Sequence, residues 1–346
     1  MKAIITYYPE YRVQAKKEIA VFDGKAVRKF DDLTSLIESP QSVAEATDKL
    51  LASKPIFIRH MFPVLAEGVC SKEKEAACST ILEAIAPHCD ITPGDGFAVQ
   101  CRALHLDVND EWGAKDVEVH VGKHFDTLGC VPVFADNRIM NEDIAIISVL
   151  IFGEYFYAGF SRASQNLSSH SDEHRLLSRS SREISRAEKK LKEAINAFKI
   201  QVTGTGNALD MGASPGGWTK VLADYGFHVS AVDPGDLHPS LHDHPNIKHY
   251  KSRIESVQFE IPFEIVVNDM NIDPQDTARI MNDLAPRLVD GGLAVVTLKL
   301  PFYDVERAIG ESLDILATYY EILNLRHLAH NRREVTALLR KKSNYN

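Results

Sequence analysis

Asn207-Ala208-Leu209-Asp210-Met211-Gly212-Ala213-Ser214-Pro215-Gly216-Gly217-Trp218-Thr219-Lys220-Val221-Leu222 reads as an apolar strand, a glycine-rich turn and the start of a helix. The glycines let backbone approach a ligand closely, and the helix start beyond them offers unpaired N–H groups. Outward from this stretch, His228-Val229-Ser230-Ala231-Val232 is a second apolar strand that runs into Asp233. An acid about 20 positions past such a turn is where a doubly wound fold grips two ribose hydroxyls. The dinucleotide fingerprint G-x-G-x-x-G is absent, and the plain alternative is a glycine turn without a ligand. Strands at 264–268, 293–298 and 334–340, with helices at 216–225, 275–289 and 303–318, continue the alternation. It predicts an α/β domain built on a mostly parallel, doubly wound sheet.

Two of these strands end in charge. Phe263 to Asn268 runs into Asp269, and Leu293 to Leu298 runs into Lys299. Both polar groups therefore fall at C-terminal strand ends, where open α/β sheets bind ligands. Burying either charge alone would be costly. On the residues alone, a structural Asp–Lys pair and a functional one are equally open.

The string D-x-G-x-x-P-G-G-W, from Asp210 to Trp218, resembles motif I of the FtsJ-like RNA methyltransferases, which bind S-adenosylmethionine (SAM). Ser185-Arg186-Ala187-Glu188-Lys189-Lys190-Leu191-Lys192-Glu193 is similar to that family's helix S-R-A-x-x-K-L-x-E. The resemblance implies a Rossmann-like SAM-dependent methyltransferase domain. It assigns Ser185, Gly212, Ser214, Pro215, Gly216, Gly217, Trp218, Asp233 and Asp269 to the cofactor. It also assigns Lys190, Asp269, Lys299 and Glu334 to the K-D-K-E set of ribose 2'-O-methyltransferases. A ribose 2'-OH is a poor nucleophile until a base takes its proton. Lys299 is the expected base, its pKa pulled toward neutrality by burial and by the Lys190 cation. Asp269 and Glu334 are expected to hold the two amines. No metal is expected. His238, His242, His244 and His249 crowd one loop, but with Pro239, Asp243 and Pro245 among them they read as exposed loop residues.

Resemblance extends along the chain. Tyr7-Tyr8-Pro9, Phe57-Ile58-Arg59-His60, Gly159-Phe160-Ser161, Leu298-Lys299-Leu300-Pro301 and His330-Asn331-Arg332-Arg333-Glu334-Val335-Thr336 together resemble the RlmM family of large-subunit ribosomal RNA 2'-O-ribose methyltransferases. That resemblance implies an α+β ferredoxin-like domain over 1–62, a THUMP-like RNA-binding domain over 63–168 and the FtsJ-like domain over 169–346. It further implies an RNA partner and a cytidine of 23S rRNA as the target. Apolar periodicity is compatible with this division. It predicts strands at 3–7, 56–64, 96–104, 131–135 and 144–160, and helices at 13–22, 43–51, 72–86, 114–125 and 185–200, with a polar linker over 161–183. One departure stands out: Lys248-His249-Tyr250-Lys251-Ser252-Arg253 lacks the carboxylate that many relatives turn toward the adenine, which leaves Ser252, backbone or another segment for that contact.

Composition sets the outer bounds. With 346 residues, 45% hydrophobic and 25% charged, the chain has the make-up of an ordinary globular protein of two or three domains. Its longest apolar run, Ile144 to Phe152, is far short of the roughly 20 residues of a membrane span. The N-terminus reads as a first strand of a cytoplasmic protein rather than a signal peptide. Five cysteines, all before residue 131 and without C-x-x-C, read as reduced thiols. Net charge is -9, with acidic surpluses in residues 61–168 and, more weakly, 201–346, and slightly basic stretches over 1–60 and 169–200. Neither DNA nor a membrane is an expected partner. A base methyltransferase is a weaker rival, because the catalytic domain has no cysteine nucleophile and no N/D-P-P-Y strand end. Two further rivals stay open: a noncatalytic RNA-binding or ribosome-assembly factor that keeps SAM, and a methyltransferase acting on a different RNA.

Overall fold

In the computed structural model, which describes residues 1–104, 112–133, 144–167, 184–202, 204 and 206–343, the chain divides into two units, Met1–Leu176 and Leu177–Asn346. The first unit opens with β1 (Lys2–Tyr7), α1 (Arg12–Ala20), β2 (Lys25–Lys29), β3 (Thr34–Glu38), α2 (Val43–Ala52) and β4 (Ile58–Pro63). Its antiparallel sheet has the order β2-β3-β1-β4, a ferredoxin-like arrangement. Local signals set the helices. Ser42 and Glu45 form a reciprocal cap at the start of α2. The Glu18 carboxylate on α1 accepts the N–H groups of Ile56, Phe57 and Ile58 at 2.6 to 3.1 Å, which fixes the approach to β4.

A second sheet follows, from β5 (Ala66–Val69), α3 (Lys74–Ile85), β6 (Gly96–Leu104), α4 (Ala114–Thr127), β7 (Val131–Pro132), β8 (Ala145–Phe152) and β9 (Tyr155–Arg162). The strand order is β5-β9-β8-β6-β7. The stretch expected as strand over 144–160 is a hairpin that turns at Gly153, φ +56°. Its apolar run does not alternate because both faces are buried. One face packs with Ala77, Ile81, Val117 and Val121 from α3 and α4. On the other, Leu150 and Tyr157 join Ile4, Leu36 and Phe62 of the first sheet. Buried Arg102 crosses the same seam, donating to Asp31 Oδ2 at 2.9 Å. Of the linker expected over 161–183, residues 168–183 lie outside the described residues, and with them the expected boundary at 168/169.

The second unit holds α5 (Ala187–Ala197), β10 (Asn207–Met211), α6 (Gly217–Asp224), β11 (His228–Val232), β12 (Ile247–Tyr250), β13 (Phe263–Asn268), α7 (Pro274–Leu284), β14 (Leu288–Lys299), α8 (Val305–Leu316), β15 (Tyr320–Arg326) and β16 (Glu334–Lys341). The seven-stranded sheet has the order β12-β11-β10-β13-β14-β16-β15. Its first five strands are parallel and β16 runs antiparallel to both neighbours. This is the Rossmann-like, doubly wound sheet the sequence predicts, with the strand order reversing between the parallel strands β10 and β13. The helix expected over 275–289 stops at Leu284, because Pro286 supplies no N–H to continue it, and β14 already starts at Leu288. Strands β12 and β15 were not expected. Both are sheet edges and carry polar residues such as Lys248, His249, Glu321 and Asn324, so neither shows an apolar run. Among the described residues, no helix is long and apolar enough to cross a membrane.

Asp210 is buried at the centre of this sheet on β10. Its Oδ2 accepts from Thr219 Oγ1 at 2.6 Å, while Oδ1 has no hydrogen-bond partner among the described residues. Burial pushes its carboxyl up to about 7, with the nearby Asp269 charge adding to the rise against the Thr219 bond. A carboxyl whose pKa rises on folding stabilises the fold most below its unfolded value near 3.8, and that contribution is lost as pH climbs toward and through about 7. Asp210→Asn removes the ionisation. Thermal melts of the ligand-free protein should show the variant gaining on the wild type by about 2 kcal/mol between pH 5 and 8. A difference that does not vary with pH would contradict the buried ionisation.

Candidate active site

Gly212 leaves β10 at φ +74°, and a Cβ there would come within 3.0 Å of Met270 backbone at the end of β13. Gly216 has φ +109° and precedes α6, while a Cβ on Gly217 would lie 2.3 Å from Ser185 Oγ. The turn therefore has room only for glycine at its closest approaches. The Ser214–Pro215 peptide is cis. Asp233, at the end of β11, lies over the same turn. Its Oδ2 accepts from the Ser214 N–H at 3.2 Å and its Oδ1 from the Gly235 N–H at 2.6 Å. Ser214 Oγ donates to the Asp236 carbonyl at 2.9 Å, and the Pro215 carbonyl accepts from His238 N–H at 2.8 Å.

Ser185 Oγ, like Asp210 Oδ1, is buried without a hydrogen-bond partner among the described residues. A glycine cradle, an acid over it and two unmatched polar atoms fit a ligand that brings its own donors and a diol. Trp218, which the resemblance assigns to the cofactor and whose place after the glycine turn favours helix packing, is a core residue. It is only 2% exposed, packs in the apolar core beneath α5, and its indole N–H donates to the Ala187 carbonyl at 2.7 Å. The four loop histidines bond within their own neighbourhood: His238 to Ser240, His242 to the Leu237 carbonyl, His244 to the Asn246 N–H and His249 to the Asp233 carbonyl. Among the described residues, no cluster of three or more metal-ligating side chains occurs.

Beside the cradle, four side chains close a ring. Lys190 Nζ on α5 lies 3.1 Å from Asp269 Oδ2 and 2.7 Å from Glu334 Oε1. Lys299 Nζ lies 2.7 Å from Asp269 Oδ1 and 2.5 Å from Glu334 Oε2. Each ammonium thus touches both carboxylates, and two positive charges meet two negative ones with side-chain exposures of 8 to 18%. The sheet explains the meeting. Asp269 follows β13 and Lys299 ends β14, both at the C-terminal edge, and antiparallel β16 begins there with Glu334 in register opposite Lys299. Buried Asn268 shapes the turn by accepting the Met270 N–H at 2.9 Å.

The ring settles the charge state of Lys299 at rest. Burial would lower its pKa, but Asp269 and Glu334, each by charge and hydrogen bond, more than offset that and hold the ammonium above its usual range. The expected pull toward neutrality by Lys190 is thereby corrected: Lys190 faces the same two carboxylates, which screen one amine from the other. Asp269 shows the converse. Burial would raise its carboxyl, yet Lys299 and Lys190, with the Lys299 and Thr297 hydrogen bonds, hold it below the usual carboxylate range.

Further residues position the ring, and sequence reasoning assigned them no role. Thr297, two residues before Lys299 and so on the same face of β14, donates to Asp269 Oδ1 at 2.8 Å. Glu193, the last residue of the S-R-A-x-x-K-L-x-E helix motif and one turn past Lys190, accepts from the Ala329 N–H, the His330 N–H and His330 Nδ1 at 2.7 to 2.9 Å. Burial would raise its carboxyl, and the His330 contacts reverse that and lower it. It ties α5 to the loop leading into Glu334. Asn331 Oδ1 accepts from Leu328 N–H and Thr336 Oγ1 at 2.8 and 3.1 Å, bracing the same loop. The place of Glu193 in its helix was legible, but its partners 136 and 137 positions away were not.

Residues 184–300, the span that carries the cradle, Lys190, Asp269 and Lys299, match the FtsJ-like methyltransferase family. The ribosomal RNA large subunit methyltransferase M of Shewanella frigidimarina is 36% identical over 200 residues, 53% of this chain and 54% of that protein. The protein of the same name from Halorhodospira halophila is 33% identical over 142 residues, 40% of this chain and 41% of its own. An uncharacterized protein of Methanocaldococcus jannaschii is 30% identical over 170 residues, 46% and 47% of the two chains. The chain spans about half the length of the curated relatives it matches. Residues 184–300 thus match the FtsJ-like methyltransferase family, and about half of the chain is similar to the ribosomal RNA large subunit methyltransferase M proteins.

Proposed function

We propose that this chain is a SAM-dependent RNA methyltransferase that acts on a ribose 2'-OH, with a cytidine of 23S rRNA as the target. The observation that carries the reading is the closed ring of Lys190, Asp269, Lys299 and Glu334 at the sheet edge beside the glycine cradle. Domains over 1–62, 63–168 and 169–346 would divide the work, the first two as ferredoxin-like and THUMP-like modules that meet RNA. The backbone of Gly212, Ser214, Pro215, Gly216 and Gly217, together with Ser185, Asp233 and Asp269, would hold SAM, which supplies a methyl already activated on positive sulfur.

The ring supplies the proton chemistry. Lys299 is an ammonium at rest, so it must give up a proton before it can take one. Glu334 Oε2 and Asp269 Oδ1 lie within hydrogen-bond reach to receive it. When that proton leaves through Glu334 to water, a neutral amine remains. The amine then takes the 2'-OH proton and returns to the ammonium, so the ring regains its resting state and the reaction's one net proton has gone to water. Lys190 keeps its charge throughout and holds Asp269 ionised, so the ring carries at most one unmatched negative charge, and only between the two proton steps.

Two outcomes follow for the wild type and Lys299→Ala with labelled SAM and unmodified large-subunit rRNA. Label should appear in alkali-resistant dinucleotides, and the variant should lose about 10²- to 10⁴-fold in kcat with unchanged SAM affinity. SAM binding without transfer to any RNA would remove the reading in favour of a binding factor. In single turnovers the wild-type rate should keep rising with pH through about 9, because the fraction of neutral Lys299 grows across that range when its pKa is raised. A plateau near pH 7 would mean a lowered amine instead.

A further inference from the structure

Beyond β14, Leu300 is buried, and Pro301, Phe302, Tyr303 and Asp304 then run over the surface before Val305 begins α8. Phe302 and Tyr303 are 82% and 84% exposed, the highest values among the large hydrophobic side chains of the described residues. Two adjacent aromatic rings left in water contribute little to folding, since burial is what stabilises them. Their position is informative. Phe302 lies three residues past Lys299, and the guanidinium carbon of Arg333, the residue before Glu334, sits 3.1 Å from the centre of its ring. The Leu300 N–H donates to the Arg333 carbonyl at 2.8 Å, so the two segments are joined by backbone as well. The rings and the guanidinium plane are thus anchored to the two strands that carry Lys299 and Glu334.

We infer that Phe302 and Tyr303, with Arg333, form a stacking platform for an unpaired base of the RNA, next to the ribose presented to Lys299. This rests on the 2'-O reading above and adds how the nucleotide arrives. Aromatic faces and guanidinium planes stack on any base, and only a base free of its helical neighbours can offer its face. The substrate class is therefore an RNA loop, bulge or single strand rather than a continuous duplex. A protein partner is the poorer occupant. Two rings flanked by Pro301 and Asp304 fall far short of the roughly 800 Å² per side of a stable protein interface, but they match the footprint of one or two bases.

Methyl transfer to unmodified large-subunit rRNA tests the platform with Phe302→Ala, Tyr303→Ala and the double variant of the full chain. Both side chains are exposed, so folding is not at stake, and SAM affinity by calorimetry serves as the control. The expected result is a KM for RNA raised about tenfold per ring, with a smaller change in kcat and unchanged SAM binding. Phe302→Trp and Tyr303→Phe, which keep a ring, should stay near the wild type. The slope of log affinity against log salt should not change in the alanine variants, because no phosphate contact is lost. An unchanged KM in the double variant, alongside a wild type that methylates RNA, overturns the platform and leaves the 2'-O reading intact. A changed salt slope overturns stacking in favour of a phosphate contact. A wild type that methylates no RNA overturns both readings.

Discussion

Two ammonium and two carboxylate groups, mostly withdrawn from water, persist together because each charge touches both of the opposite sign. Removing one partner from such a set leaves a net buried charge, at a cost of roughly 3 to 5 kcal/mol. That constraint accounts for much of the second unit. It requires three strand ends and one helix to converge within hydrogen-bond reach, and the parallel strands with antiparallel β16 between β14 and β15 deliver three of the four groups to one edge. Helix α5 delivers the fourth. Glu193 then fastens that helix to the loop before Glu334, so the ring's most distant members in sequence share one brace.

The ring also separates two tasks that meet at the same sheet edge. Glycines and Asp233 shape a cradle at the ends of β10 and β11, where the Asp233 carboxylate accepts the Ser214 and Gly235 N–H groups. Charge is concentrated instead at the ends of β13 and β14. Asp269 stands between the two, bound to both lysines and immediately beside the Met270 backbone that limits Gly212. The high resting proton affinity of Lys299 is then a consequence of holding the site together, and under the proposed reaction that amine must first lose its proton.

Much of this architecture was legible in the sequence, and the failures have physical causes. Short central strands such as Ala208–Met211 and Val229–Val232 are buried on both faces and read as apolar runs with polar ends, which located Gly212, Asp233, Asp269 and Lys299. Lys190 and Glu334 were reached only through resemblance, since nothing in their local spacing says that residues more than 140 positions apart meet. Edge strands β12 and β15 escaped because solvent-facing edges carry polar residues. The hairpin of β8 and β9 escaped because burial on both faces erased its alternation. Trp218 sits at the helix start that the motif marks and packs into the core, as its apolar bulk at that position suggests. Tyr303 reads in sequence as the start of a helix and Phe302 as the residue before it; only their exposure sets them apart.

The central claim is that the ring holds Lys299 as a firmly bound ammonium between two carboxylates. Nuclear magnetic resonance of the protein labelled at its lysine side chains, with the Lys299 signal assigned through Lys299→Arg, measures that proton directly as pH rises. The expected result is a titration midpoint above the ordinary lysine value of 10.5, falling when Glu334→Gln removes one carboxylate. A Lys299 midpoint near neutrality in the intact ring would contradict the claim.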